Sequence, residues 1–439
     1  MRNTLETLYL DHLQYLQDSY YKALASHDYD ALLIHSGRPA RQSVFDDQYW
    51  PFRPTPAFAH WLPLRAPDVA LLLEPGKRPR LFSRVVTDYW EGEPEPESHH
   101  FRESFDAVTI QELDEVRQHL PGGRIAFIGD LTEPAAAYGL DMEAANPEPL
   151  LLDLDQVRVS KTDYERECIA EANRRAAAGH RAVRQAFLGG DHSELQLHLL
   201  YLGATNQDDS ETPYKNIVAL DEHAAVLHHI NYSRSRPINQ HQSLLVDAGA
   251  MCLGYASDIT RTAAKGAGSE NFSNLVTAME ELQAKVIEKV APGLPYQSLH
   301  DQAHHLLAQV LGELGIARTS ADELVESGAT RKFFPHGLGH SLGLQVHDVG
   351  CRLQEPTQDN PFLRNTSTIA AGQVFTIEPG CYFIPQLMDE LRELPVASHI
   401  DWKAIDALSY YGGVRIEDNI AVTEAGTVNI TRDNWPSTP

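Results

Sequence analysis

Cysteine is scarce, with four in 439 residues. Cys168, Cys252, Cys351 and Cys381 are widely spaced and form no CxxC pair, which speaks against a disulfide scaffold or a cysteine-based zinc site and fits a reduced, cytoplasmic protein. Basic residues are also in short supply. Lys and Arg number 36 against 61 Asp and Glu, a formal charge of −25 at pH 7, which argues against nucleic acid or an anionic membrane as partner, since both need clustered Lys and Arg. No stretch approaches the roughly 20 apolar residues of a membrane span. The N-terminus, MRNTLETLYLDHLQYLQ, carries Glu6 and Asp11 inside its apolar pattern and is not a signal peptide. Gly122-Gly123 lacks a GxGxxG pattern, so no dinucleotide fingerprint is present.

What is there is a globular composition, 42% hydrophobic and 22% charged, in a chain too long for one ordinary core. Leu5, Leu8, His12, Leu16, Tyr20 and Leu24 recur at helical spacing and predict an amphipathic helix over 4–24. A strand at 30–35 follows, then an irregular Pro- and aromatic-rich segment, RQSVFDDQYWPFRPTPAFAHWLP. Further strands are expected at 68–73, 80–82 and 124–128, with helical pieces at 83–89 and 111–119. This alternation implies a small N-terminal α/β domain with a mixed sheet, over residues 1–155. Residues 150–160 read as the passage to a second domain, 156–439. It opens on a long helical pattern, 161–187, ended by Gly189-Gly190, and Asp191-His192-Ser193-Glu194 caps another helix. Short strands are expected at 216–219, 241–250, 254–262, 344–347, 373–378 and 413–421, with helices over 271–290 and 296–314, giving the whole an α+β texture.

The densest chemistry lies in 334–348, where His336, His340 and His347 sit four and seven residues apart among Gly337, Gly339 and Gly343. Such glycines permit close backbone approach or φ > 0, so the stretch reads as a rigid loop and strand presenting imidazoles inward. Any one of these histidines, taken alone, is more often a hydrogen-bonded structural residue than a ligand. Carboxylates elsewhere change that balance. Asp247 ends the apolar run 244–246 and Asp258 follows eleven residues later, with Gly249 and Gly254 suited to a hairpin or bulge that sets the two side by side. Glu378 and Glu417 close strands, and glutamate is seldom buried without a partner or a metal; Arg415 can serve only one of them, or both in part. Four carboxylates and the His340 imidazole suit two divalent cations, with Mn2+ favoured by the hard ligands and Co2+ or Zn2+ as alternatives.

The ordered set, Asp247, Asp258, His340 in HGLGH, Glu378 in TIEPG and Glu417 in RIEDN, resembles the metallopeptidases of the pita-bread fold: methionine aminopeptidase, aminopeptidase P and prolidase. With HSGRPARQ and FDDQYWPF near the N-terminus, the chain is most similar to the bacterial prolidases, the Xaa-Pro dipeptidases, including the relative studied as organophosphorus acid anhydrolase. The resemblance implies a C-terminal pita-bread catalytic domain, a homodimer and two metal ions per subunit. It implies that Asp247 chelates one metal, Asp258 and Glu417 bridge both, and His340 and Glu378 bind the other. A hydroxide between the ions would attack the scissile carbonyl, with Glu378 carrying the proton to the leaving nitrogen.

Further positions follow from the same resemblance. His228 and His347 match histidines that flank the metals and bond the developing oxyanion, and Arg415 stands with the catalytic groups. His336 matches a pocket histidine, whereas His229 has no match and reads as structural. Arg364 falls where prolidases bind the dipeptide's C-terminal carboxylate, a task suited to a guanidinium fork. Tyr214, Leu227, Tyr296, Val346 and Leu363 are candidates for an apolar proline slot. Asp46 or Asp47 of the partner subunit would read the substrate ammonium. The implied substrate is a dipeptide with C-terminal proline, with organophosphorus esters as a side activity; the alternative is an aminopeptidase P-like or other pita-bread hydrolase acting on longer or non-peptide substrates.

Overall fold

The structure, a computed structural model, describes residues 2–84, 99–235, 242–266 and 269–435. The chain divides into two compact units, 1–167 and 168–439. In the first, α1 (Arg2–Ser26) buries His12, Leu16, Tyr20 and Leu24 of the expected stripe together with Tyr9 and Leu13, while Leu5 and Leu8 are half-buried. Strands β1 (Ala31–His35), β2 (Ala70–Leu73), β3 (Arg80–Arg84), β4 (Asp106–Ile110) and β5 (Ile125–Ile128) form one sheet in the order β4-β3-β2-β1-β5. β1 runs antiparallel to β2 and parallel to β5, so the sheet is mixed as expected. The fully buried strands β1, β2 and β5 show as continuous apolar runs. β4 escaped the sequence reading because only Ile110 at its end is fully buried. Short helices α2 (Pro56–Ala59), α3 (Glu133–Ala137) and α4 (Glu148–Val159) complete the unit, so the stretch 150–160 is mostly helix. Residues 113–119 form a 3-10 helix behind a Glu112/Glu115 capping box. Of the helical piece expected at 83–89, Ser83 and Arg84 belong to β3, and the rest lies outside the described residues.

A histidine sits on the buried stripe of α1. His12 donates through Nε2 to the His60 carbonyl at 2.8 Å, which leaves Nδ1 to accept from the Thr162 hydroxyl at 2.9 Å. Burial pushes its pKa down to about 4, against the opposing pull of Glu165. A histidine held neutral in this way stabilises the fold fully above its unfolded value of about 6.5, and the contribution is lost as pH falls toward 4. The urea midpoint of the first unit is therefore expected to fall between pH 6.5 and 4, and His12→Gln is expected to flatten that slope. A slope that persists unchanged in the variant refutes the assignment.

The second unit is built twice over from two helices on a three-stranded antiparallel sheet. α5 (Asp163–Gly189) and α6 (Glu194–Thr205) pack on β6 (Ile217–Leu220), β7 (Ser243–Asp247) and β10 (Thr260–Ala264), ordered β10-β7-β6, around Val183, Phe187, Leu197, Tyr201, Val218 and Val246. Between β7 and β10 lies a small hairpin, β8 (Met251–Cys252) with β9 (Tyr255–Ala256). α7 (Glu270–Ile287) and α8 (Tyr296–Glu313) pack on β11 (Val374–Ile377), β14 (Asp418–Thr423) and β15 (Gly426–Asn429), around Phe272, Met279, Leu299, Leu307, Phe375 and Ile420. The halves touch through a bridge between Thr260 and Glu417. This doubling is the architecture expected of a pita-bread domain. Remaining pieces are α9 (Ala321–Glu326), α10 (Thr330–Phe333), the pair β12 (Gly380–Tyr382) and β13 (Gly413–Arg415), α11 (Pro385–Arg392), α12 (Trp402–Ser409) and α13 (Ile430–Asp433).

Three strand expectations need correction, the first being 254–262, which is interrupted at 257–259 between β9 and β10. Residues 344–347 form bends, not a strand, because the Asp348 amide returns to the Ser341 carbonyl at 2.9 Å and closes 342–347 into a loop; Ser341 keeps a single bridge, to Phe375. The run 413–421 is broken between β13 and β14, where Ile416 and Glu417 donate their amides to Pro379 and Thr260 instead of continuing one ladder.

Candidate metal centre

Asp247 is the last residue of β7, and Asp258 stands two residues before β10; the strands pair with Asp247 opposite Thr260. The link between them is the β8-β9 hairpin, turned by Leu253 and Gly254 at φ 49° and 90°. Gly249 has a different task. A Cβ there would lie 2.0 Å from the Ser257 carbonyl oxygen, so the position needs a residue without one. From the other half, Asn419 accepts the Asp258 amide at 3.1 Å and donates to the Asp258 carbonyl. Asp258 is thus held by its backbone, leaving its carboxylate available.

Asp258, His340 and Glu417, all buried, offer ligand atoms that lie within 4.8 Å of one another. His340 donates from Nδ1 to the Ser341 carbonyl at 3.0 Å, which fixes the tautomer. Its Nε2 faces Asp258 Oδ2 at 3.4 Å and Glu378 Oε1 at 3.6 Å. Burial opposes a second proton on this ring, but the Asp258 hydrogen bond and the Glu378 charge raise its pKa, so without a cation a shared proton stands between Nε2 and the carboxylates. A divalent cation would take the place of that proton, and a backbone-anchored Nδ1–H is the usual support of a metal-binding histidine. The ring is placed by strand β11: the His340 amide donates to the Thr376 hydroxyl at 3.1 Å, and the Thr376 amide donates to the His340 carbonyl at 2.9 Å.

Charge points the same way. Arg415 donates to Asp247 Oδ2 at 2.6 Å, to the Tyr382 hydroxyl at 2.7 Å and to Thr260 Oγ1 at 3.2 Å. Among the described residues it pairs with neither Glu378 nor Glu417, which corrects the pairing expected from sequence; one fork serves Asp247. The Tyr214 hydroxyl lies 2.7 Å from Asp247 Oδ1 and also against an Asp258 oxygen. Thr260 donates to Glu417 Oε2 at 2.6 Å. Four carboxylates, three buried and Glu378 half-buried, remain too many for these partners. Burial, with Asp258 and Glu378 adding to it, drives Glu417 well above the usual carboxylate range. Burial pushes Glu378 up to about 7 although His340 and Arg415 pull down. Asp247 rises for the same reason, and Asp258 alone is lowered: burial pushes it up, but the hydrogen bond and charge of His340, with Tyr214 and His347, together outweigh that push. An oxygen-rich set with surplus buried charge and one backbone-anchored imidazole fits divalent cations.

Residues 167–424 match the description Metallopeptidase family M24, and residues 7–155 match Xaa-Pro dipeptidase, N-terminal domain. The chain belongs to metallopeptidase family M24, in its bacterial prolidase branch. It is 43% identical to the Xaa-Pro dipeptidase of Marinobacter nauticus over 96% of this chain and 97% of that one. It is 40% identical to the Xaa-Pro dipeptidase of Cronobacter sakazakii over 98% and 99%. Among solved structures it is similar to Zn-substituted Escherichia coli aminopeptidase P in complex with product, at TM-score 0.72 and 23% identity over 96% and 95% of the chains. It is also similar to proline aminopeptidase P II from Yersinia pestis, at TM-score 0.73 and 22% identity over 96% of each.

The other candidate residues of this M24 metallopeptidase divide into those near the cluster and those apart from it. His347, solvent-accessible, stands edge-on to His340 with ring centroids 4.4 Å apart, and desolvation, then His340 and Arg364, push its pKa down to about 4. His336 pairs through Nε2 with the Tyr382 hydroxyl at 2.9 Å and lies 3.7 Å from Glu378. His228 is exposed and close enough to influence both His336 and His347. Leu227 and Val346 are half-buried, and Arg364 is exposed. Leu363 is buried but lines, with His336, a cavity of about 250 Å³. Tyr296 is fully buried, its ring edge-on to Phe375 and its hydroxyl donating to the Thr376 carbonyl at 2.9 Å, so it supports the wall from behind. Asp46 and Asp47 belong to the first unit, where they accept from the Gln48 amide at 2.9 Å and its side chain at 3.1 Å. Three supports were missed in the sequence: Thr260, Asn419 and Tyr382. Their polar side chains inside apolar strands, in DITRT, RIEDN and GCYF, were the available signal.

Proposed function

We propose that the chain hydrolyses Xaa-Pro dipeptides with the help of two divalent cations, which Asp247, Asp258, His340, Glu378 and Glu417 would hold. The observation that carries this reading is His340, whose backbone-anchored ring sets Nε2 between two carboxylates of a buried surplus, in a chain whose full-length relatives are named Xaa-Pro dipeptidases. Hard ligands favour Mn2+ over Co2+ or Zn2+. Bound cations would supply Lewis-acid polarisation of the scissile carbonyl and a water acidic enough to react at neutral pH.

The chain's own groups do the remainder. Glu378 accepts a proton and returns it to the proline nitrogen, a secondary amine that must be protonated to depart. His228 and His347 donate to the developing oxyanion. Tyr214, Leu227, Val346 and Leu363 flank the proline ring, with Tyr296 behind them, and His336 lines the pocket. Arg364 takes the C-terminal carboxylate through its planar fork. Asp46 or Asp47 of the partner subunit takes the ammonium, which makes the homodimer the working form and closes the site to longer peptides. Four buried free cysteines are in keeping with a cytoplasmic location. No helix among the described residues is long and apolar enough to cross a membrane. Activation of water at such a centre also suits a tetrahedral phosphorus, so organophosphorus esters are a side substrate.

Mn2+-loaded protein is expected to cleave Ala-Pro and to leave Ala-Pro-Ala and Ala-Ala intact. Cleavage of the tripeptide at a comparable rate would move the chain to the aminopeptidase P reading. Arg364→Ala is expected to keep its metal and to raise KM for Ala-Pro roughly 10- to 100-fold, the worth of a charged hydrogen bond, with a small change in kcat. An unaltered KM removes Arg364 from carboxylate binding.

A further inference from the structure

Away from the candidate centre, one fully buried carboxylate takes four hydrogen bonds from a single stretch of chain. Glu194 is the first residue of α6, behind the Ser193 cap, where the helix dipole favours an anion. Its Oε1 accepts from the Leu220 amide at 3.0 Å and from His223 Nδ1 at 2.6 Å. Its Oε2 accepts from His229 Nε2 at 2.8 Å and from the Ser233 amide at 2.6 Å. The His223 and His229 rings stack with centroids 4.5 Å apart and planes 26° apart. Between these two tethers the chain is thinly held. Of residues 226–230 only His229 is buried, while Val226, His228 and Ile230 are exposed. Leu227 and His228, assigned above to the proline slot and the oxyanion, therefore lie on a span fixed at both ends by Glu194.

The same carboxylate and two imidazoles are also a donor set that zinc accepts, and they lie within 4.8 Å of one another. The distances decide between the two uses. Ligand atoms around a tetrahedral zinc with bonds of about 2.0 Å stand roughly 3.3 Å apart, close to the 3.4 and 3.6 Å separating His340 from Asp258 and Glu378. Glu194 sits at 2.6 and 2.8 Å from its histidines, which are hydrogen-bond lengths. Backbone amides occupy the other acceptor positions. The cluster is a clasp, not an ion site.

We propose that Glu194 is a positioning residue for hydrolysis: by holding His223 and His229 it sets the place of His228, and with it the oxyanion contact, without touching substrate. This rests on the role given to His228 under the proposed function. Although burial opposes ionisation, the bonds from His229, Ser233 and Leu220 hold the Glu194 carboxyl down at about 2, so Glu194 is an acceptor carboxylate wherever the enzyme works. The four donors come from 26 to 39 residues along the chain, so the clasp also fastens the end of β6 and the segment beyond it to α6.

Glu194→Gln is the test, because glutamine keeps the shape but offers one acceptor oxygen and turns an NH2 group against the donors. Expected are faster amide exchange in 221–233 and a kcat for Ala-Pro lower by roughly 10- to 100-fold, the cost of a small misplacement, with KM altered less. In a His228→Ala background the same change is expected to cost almost nothing further, since the group it acts through is gone. A merely structural role would add its full loss there. Unchanged exchange in 221–233, or full additivity with His228→Ala, overturns the proposal. Should Glu194→Gln fail to fold, His223→Ala, which removes a half-exposed ring and one bond, is expected to show the same pattern in smaller measure. If wild-type protein leaves Ala-Pro intact, the dipeptidase reading fails, while the exchange measurement still decides whether the clasp exists.

Discussion

Asp258→Asn is expected to give a folded protein that no longer retains Mn2+ and whose kcat/KM for Ala-Pro is lower on the order of 1,000-fold or more, well beyond the roughly 10- to 100-fold of altering an outer partner. The substitution removes the one carboxylate of the four that stays lowered beside His340. It also removes the oxygen facing Nε2 at 3.4 Å. The fold is expected to tolerate it because the Asp258 backbone is pinned on both its amide and its carbonyl by Asn419. Glu417 and Glu378 are raised partly by the charge of Asp258, so taking that charge away relieves repulsion in the metal-free protein. Two melting curves check the argument. Metal-free variant is expected to unfold no earlier than metal-free wild type, and only wild type is expected to gain stability on adding Mn2+. A variant that binds Mn2+ stoichiometrically is incompatible with Asp258 as a metal ligand.

Much of this centre is legible in the sequence, for a physical reason. Asp247 and Glu378 each close an apolar run, and β7 and β11 are buried along their whole length, so an acidic residue at such an end stands out against its surroundings. Helices with a clear apolar stripe, α1, α7 and α8, were legible for the same reason. Edge strand β4 was not, since most of its residues face outward. Nor was the loop 342–347, because its conformation is set by a turn closing on Ser341 and by the Leu342 amide bonding to Val374 at 3.0 Å, contacts that no local pattern announces. Outer supports were harder still. Thr260 reaches Glu417 across 157 residues of chain, and Arg415 reaches Asp247 across 168; each depends on register between the two halves of the second unit. Glu194 was readable as part of a helix cap, but its chemistry depends on tertiary donors.

Glycine between the histidines carries the second large expectation. Gly339 lies in ordinary backbone territory, since it is absent from the positive-φ positions, so its role is room and not turning. A Cβ there would stand 2.1 Å from the Thr376 carbonyl oxygen, 2.5 Å from the Tyr296 hydroxyl and 2.7 Å from Thr376 Oγ1. None of the three can retreat. Thr376 belongs to β11, paired with β14 opposite Asn419, and Tyr296 is fully buried with its hydroxyl already bonded to that same carbonyl. Relief must come from residues 339–340 moving off the strand, which breaks the two hydrogen bonds between His340 and Thr376 and carries the imidazole out of register with Asp258 and Glu378. Gly339→Ala is therefore expected to lose about 3 kcal/mol of stability, the upper part of the range for overpacking. It is also expected to weaken Mn2+ binding roughly 10- to 100-fold, as misplaced support for a ligand does. Urea unfolding of the metal-free protein reads the first effect and a metal-competition titration the second. A variant with wild-type stability and wild-type Mn2+ affinity would show that the strand can yield, and the placement of His340 would then rest on the Ser341 carbonyl alone.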